Sequence, residues 1–218
     1  MSLHLQRDLD KLKKEILKLG NLVETAINNA ILALNNREDS YVDEVFRQEE
    51  LINDMEVKIE EDCLKILALH QPVAVDLRFI VVALKVNNDL ERMGDFATNI
   101  SKRARDLMQV EPLATLPEFV NDLPNLVRTM VRKSLDALVK LDMDLAQEVI
   151  EMDDQVDQIN RDMHAVVKKE LALNPTNAET AINLLSCSRY MERIADLSTN
   201  IAEDVIFMVE GKVIRHID

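Results

Sequence analysis

Two ten-residue segments, ERMGDFATNI (Glu91 to Ile100) and ERIADLSTNI (Glu192 to Ile201), agree at six positions and stand 101 residues apart. Upstream of each, Glu49, Ile52 and Asn53 carry the same acidic and apolar pattern as Asp153, Val156 and Asp157, which lie 104 residues further on. A chain of 218 residues that repeats itself at this period is built from two copies of one unit. The small change of offset implies a shorter turn before the last helix of the second copy.

Each unit reads as three helices. The chain holds only three Gly and five Pro, and aromatic residues make up 3%, so little in it favours strands or frequent turns. Leu9, Leu12, Ile16, Leu19, Val23, Ile27 and Ile31 recur at helical spacing and predict a first helix from about Leu3 to Asn35. Ser40 and Asp43 resemble a capping box that opens a second helix running to about Leu69. His70, Gln71 and Pro72 make the next turn, and a third helix runs from there to about Met108. Pro112 and Pro117 mark a linker, and Thr115 with Glu118 predicts a box for a fourth helix ending near Lys140. Leu141 and Asp142 link it to a fifth helix ending near Leu173. Asn174, Pro175, Thr176 and Glu179 combine a proline turn with a capping box, and a sixth helix then runs to about Glu210, with Gly211 as its stop. The expected fold is all-α, two tandem antiparallel three-helix bundles spanning residues 1–112 and 113–218.

A hydrophobic fraction of 47% supplies a core, which argues against disorder. The formal charge of -14 argues against nucleic acid and against anionic lipid, both of which would repel it. The longest purely apolar run, Phe79 to Leu84, is too short to span a bilayer, and charges near the N-terminus interrupt any signal-peptide pattern. Cys63 and Cys187, one in each half, read as buried reduced thiols, and a cytoplasmic setting is the expectation.

The repeated segment also carries the candidate chemistry. Glu91, Asp95 and Asn99, and again Glu192, Asp196 and Asn200, fall at i, i+4 and i+8 and so share one stripe of a helix. Carboxylates at this spacing repel by about 0.2–0.5 kcal/mol on an exposed helix, and by more in a less polar groove. Leu77, Leu84 and Glu91 are seven apart, as are Ala178, Leu185 and Glu192, so each face is expected to turn from apolar to acidic along its length. Oxygen donors of this kind suit Mg²⁺, Mn²⁺, Ca²⁺ or iron. Ion pairing with the adjacent Arg92 and Arg193 is the competing explanation. Asp153, Asp154, Asp157 and Asp162 could lend ligands but read first as a solvated acidic face, and Gly94 reads as a close-packing position. The four histidines, His4, His70, His164 and His216, are scattered; none follows a Glu-x-x spacing, which argues against a di-iron redox bundle. A passive coiled-coil scaffold is disfavoured by the strict repeat and the lack of sustained heptads.

Two three-helix repeats with an E-R-x-x-D-x-x-x-N-I stretch on each third helix resemble the PhoU family of phosphate-transport regulators. The segment QPVAVDLR (Gln71 to Arg78) also looks like that family's first repeat, whereas AETAINLL stands at the matching place in the second. The resemblance implies two bundles packed side by side and metal held by the E/D-x-x-x-D pairs, here Glu91, Asp95, Glu192 and Asp196, with Asn99 and Asn200 adjacent. It further implies a non-enzymatic negative regulator at the cytoplasmic face of the inner membrane, commonly a homodimer. Its expected partners are the ATPase subunit of the phosphate ABC transporter and a phosphate sensor histidine kinase.

Overall fold

The computed structural model describes residues 3–112 and 118–211, with residues 118–121 as backbone. It contains six long helices: α1 (Leu3–Asn36), α2 (Asp39–His70), α3 (Ala74–Met108), α4 (Glu118–Lys140), α5 (Met143–Leu173) and α6 (Ala178–Glu210). A single 3-10 turn, Pro175–Asn177, precedes α6, and no strand occurs among the described residues. At 1.5 Å per residue, the longer helices extend about 50 Å.

Short connections force neighbours to run antiparallel, so α1, α2 and α3 pack as one bundle and α4, α5 and α6 as another. The two bundles meet along α3 and α6, with a lighter contact between α1 and α4. One apolar cluster runs through both, from Leu9, Leu19 and Ile27 on α1 to Ile194, Ile201 and Val205 on α6. Burial of this continuous core, rather than helix propensity, is what holds helices of this length together.

Along the seam, Lys85 Nζ lies 2.8 Å from Asp204 Oδ1, and Phe96 stacks on Tyr190 with ring centroids 6.0 Å apart. Arg103 Nη1 then donates to Asn183 Oδ1 at 3.2 Å. Numbers rise on α3 as they fall on α6, so these two helices are antiparallel and bring the two acidic motifs close together at mid-seam. The internal repeat is visible in polar contacts as well. Asn87 Nδ2 donates to the backbone carbonyl of Glu56 at 2.9 Å, tying α3 to α2. Ser188 Oγ donates to Asn160 Oδ1 at 3.0 Å, tying α6 to α5 at the equivalent positions.

Helix ends show where local signals held and where others replaced them. Asp142 caps α5, accepting from the amides of Asp144 and Leu145 at 3.1 Å each. Gly211, at φ 74°, closes α6 in the left-handed conformation expected of it. The Ser40 box does not form: α2 starts at Asp39 behind Glu38, and Asp39 and Asp43 both accept from Arg105 of α3 at 2.6 Å. A charge-assisted contact to another helix outweighs a local cap here. The Thr176–Glu179 box is also absent, although the proline turn starts where expected. The third helix begins at Ala74, just past the turn of His70, Gln71 and Pro72, in which Gln71 is left-handed. The Thr115–Glu118 box and the 112/113 boundary involve residues 113–117, outside the described residues. Cys63 and Cys187 are buried and unbridged, and burial pushes both thiols up to about 12, so neither is a reactive thiolate.

Candidate functional site

The stripes lie where the packing of α3 and α6 presents them to a neighbouring helix. Val82, Val86, Met93, Ala97 and Ile100 turn one side of α3 into the core, which leaves Glu91 and Asn99 half-buried and Asp95 exposed. On α6, Met191, Ile194, Ala195 and Leu197 do the same, and Glu192, Asp196 and Asn200 are all half-buried. The expected drift from apolar to acidic is real for Leu84 and Leu185, which are partly buried, but Leu77 is exposed.

Each stripe faces carboxylates on the second helix of its own repeat. The Glu91 carboxyl is raised above its usual range, first by desolvation, then by Asp95 and by Glu56 and Glu49 of α2. Glu56 is raised as well, by desolvation and by Glu60. In the second repeat, burial pushes Asp196 up to about 6, helped by Glu192 and by Asp157 of α5. Asp153 on α5 is likewise pushed up to about 6 by burial, then by Asp196 and Asp157. Burial also raises Glu192. Two four-carboxylate groups result: Glu49, Glu56, Glu91 and Asp95 in the first repeat, Asp153, Asp157, Glu192 and Asp196 in the second.

Asp153 and Asp157 therefore do not belong to a solvated face; Asp154 and Asp162 do. The pairing of Glu49 with Asp153 was already present in the repeat, but in the sequence it served only to align the two copies. Because α2 packs on α3 in the same register as α5 on α6, the aligned residues stand opposite the acidic stripes of their own repeats.

A cavity of about 320 Å³ opens over the second group, lined by Asp153, Asp196, Thr199 and Asn200 of the second repeat and by Arg92 and Phe96 of the first. Arg193 also lines it and lies 3.7 Å from Asp196 Oδ2, a long, exposed pair. Ion pairing accounts for part of the second stripe only: among the described residues, no salt bridge joins Arg92 to Glu91 or Asp95.

The donor set fits a hard cation in chemistry, being entirely oxygen, and Asp153 Oδ1 is a buried acceptor with no hydrogen-bond partner. As the side chains stand they do not close on one point: among the described residues, no three or more Asp, Glu, His or Cys groups converge as a ligand set. Carboxylate rotation within each group would be needed to form one.

Residues 16–104 and 120–205 each match the PhoU domain, one match per bundle. The chain belongs to the PhoU family. A phosphate-specific transport system accessory protein PhoU homolog from Aquifex aeolicus is 36% identical over 210 residues, covering 96% of this chain and 95% of that protein. The homolog from Pseudomonas putida is 35% identical, covering 96% of this chain and 82% of its own length. Among solved structures, PhoU from Pseudomonas aeruginosa superposes with a TM-score of 0.92 at 33% identity, covering 95% of this chain and 99% of that one. The phosphate transport system regulatory protein PhoU from Streptococcus pneumoniae gives 0.84 at 26% identity, covering 96% and 99%. In this family member no helix of the described residues is long and apolar enough to cross a membrane.

Proposed function

We propose that this chain is an accessory regulator of phosphate transport that restrains uptake and phosphate-starvation signalling when phosphate is plentiful. It acts by protein contact, not catalysis, from the cytoplasmic face of the inner membrane. Its partners are the ATPase subunit of a phosphate ABC transporter and a phosphate sensor histidine kinase, and its working form is a homodimer. Membership of the PhoU family is the observation that carries this reading, supported by the likeness over nearly the full length to proteins named as accessory or regulatory proteins of phosphate transport.

Oxygen-liganded metal ions, Mg, Mn, Ca or Fe, bind at the two acidic groups, held by Glu91 and Asp95 with Asn99 adjacent, and by Glu192 and Asp196 with Asn200 adjacent. Asp153, Asp157, Glu49 and Glu56 stand ready to complete the sets. A bound cation would supply positive charge there. The chain's own residues do the rest: α3 and α6 fix the stripes beside one another, and Asp153 and Asp196, whose carboxyls burial raises to about 6, would give up their protons where a cation is held. Neutralising these groups rigidifies the seam and presents a bridging surface to a partner.

The test uses a bacterium whose own family member is deleted, carrying a phosphate-starvation reporter. The parent chain is expected to restore repression in high phosphate. A folded variant with Glu91→Gln, Asp95→Asn, Glu192→Gln and Asp196→Asn should lose it. A parent chain that restores nothing defeats the regulatory reading; a variant that represses fully defeats the role of the acidic groups alone.

A further inference from the structure

At the end of the molecule where α1 and α3 begin and α4 and α6 finish, an apolar cavity of about 410 Å³ opens between the two bundles. Its rim comes from one interhelix turn of each repeat. Val73 and Val75 stand at the turn between α2 and α3 and are 75% and 65% exposed. Val139 and Leu141 stand at the turn between α4 and α5 and are 52% and 47% exposed. Both turns use left-handed backbone without glycine, at Ala74 (φ 50°) and Leu141 (φ 53°), a conformation disfavoured for L side chains. An apolar rim of this kind on a strongly charged chain marks a protein contact.

Charge decides what can sit there. At a formal charge of -14, two copies of the chain repel over most of their surface. This end differs. The segment Leu3 to Gly20 of α1, which forms one wall, holds five basic and three acidic side chains. At the cavity itself the charged lining is one cation and one anion, Lys13 and Asp76. Among the described residues no ion pair engages either of them, and Lys13 lies over the Phe79 ring at 5.2 Å instead. One charge of each sign on the edge of one apolar patch is self-complementary, because a two-fold axis through the patch can set each cation against the anion of the other copy.

We propose that two copies of the chain meet at this end. The rims formed by Val73, Val75, Val139 and Leu141 pack on one another across a two-fold axis, and Lys13 of each copy faces Asp76 of the other. This surface gives the homodimer proposed above its contact and rests on that reading. Glu91 lies 16 residues along α3 from Val75, about 24 Å, so the acidic groups stay clear of the contact and open to other partners.

Sedimentation of the full-length protein over a range of concentrations tests this. Lys13→Glu and Asp76→Lys each bring like charges together twice in a two-fold dimer and should weaken dimerisation about tenfold or more. The combined variant restores opposite charges and should bring the affinity back. Leu141→Asp, at a left-handed position that tolerates aspartate, should abolish the dimer, while Leu64→Asp, 55% exposed on α2, should leave it. A folded dimer indifferent to Leu141→Asp or to the single reversals overturns the proposed surface and leaves the homodimer reading standing. Reversals that weaken the dimer without rescue by the combined variant overturn it in the same way. A parent that stays monomeric overturns both, and the apolar end then belongs to a different protein.

Discussion

Gly94 lies inside the first acidic motif, between Glu91 and Asp95, and its substitution probes how closely α3 must approach α2. A Cβ built there would lie 3.0 Å from Ile52 Cδ1 and 3.2 Å from Ile52 Cγ2. Cδ1 is a chain end and can swing away, but Cγ2 is fixed by the stiff χ1 of a β-branched residue. Ile52 is 1% exposed, so the neighbours leave it nowhere to turn. Gly94→Ala gains about 1 kcal/mol of helix propensity and loses about 1–3 kcal/mol to overpacking, so we expect a net destabilisation of about 0–2 kcal/mol. The second repeat shows the matched solution: Ala195 and Val156 stand at the equivalent positions, both fully buried. Ile52→Val alone should cost about 0.5–1.5 kcal/mol. Combined, the two should restore the second repeat's pairing, with a favourable coupling of about 1 kcal/mol or more in a urea-unfolding double-mutant cycle. Additive effects within 0.3 kcal/mol, roughly the error of such cycles, would refute the close-approach argument.

Three further outcomes follow from the same geometry. Asp153 and Asp196 hold protons up to about pH 6 in the folded state, above the usual 3.8, so their contribution to stability falls as pH rises from about 4 to 6. Discounted for solvent exposure, Asp196→Asn should stabilise metal-free protein by about 1 kcal/mol at pH 7 and not at pH 4, as read by thermal melts at both values. Lys85→Met removes the lysine facing Asp204, which is 2% exposed, and should cost about 1.5–3 kcal/mol by urea midpoint; a cost below about 0.5 would mean the pair does not hold the seam. Arg37→Met withdraws a donor that bonds the carbonyls of Leu107 and Val110 at 2.6 Å, so hydrogen exchange should quicken in the last turn of α3 while α5 stays unchanged.

Helix number, order and most ends were legible because the 3.6-residue pattern, the prolines and Gly211 all act locally. The Ser40 box was not, since what decides that end is Arg105, 66 residues from Asp39. The stripes on α3 and α6 were legible from spacing within one helix. Their counterparts Glu49, Glu56, Asp153 and Asp157 were not, because acidity on a helix says nothing of which helix it faces. Asp153 and Asp154 are neighbours of one type, yet only packing register tells that one is half-buried against Asp196 and the other is exposed. The apolar end cavity was equally hidden: its walls come from four helices of both repeats.

Metal content tests whether the acidic groups hold a cation. Protein purified without chelator or affinity tag should carry a bound divalent or trivalent cation by elemental analysis. A folded variant with alanine at Glu91, Asp95, Glu192 and Asp196 should carry none. Equal metal in both, or none in the parent even after incubation with Mg²⁺, Mn²⁺, Ca²⁺ and Fe²⁺, would rule out a metal site at these groups and leave the stripes as partner contacts alone.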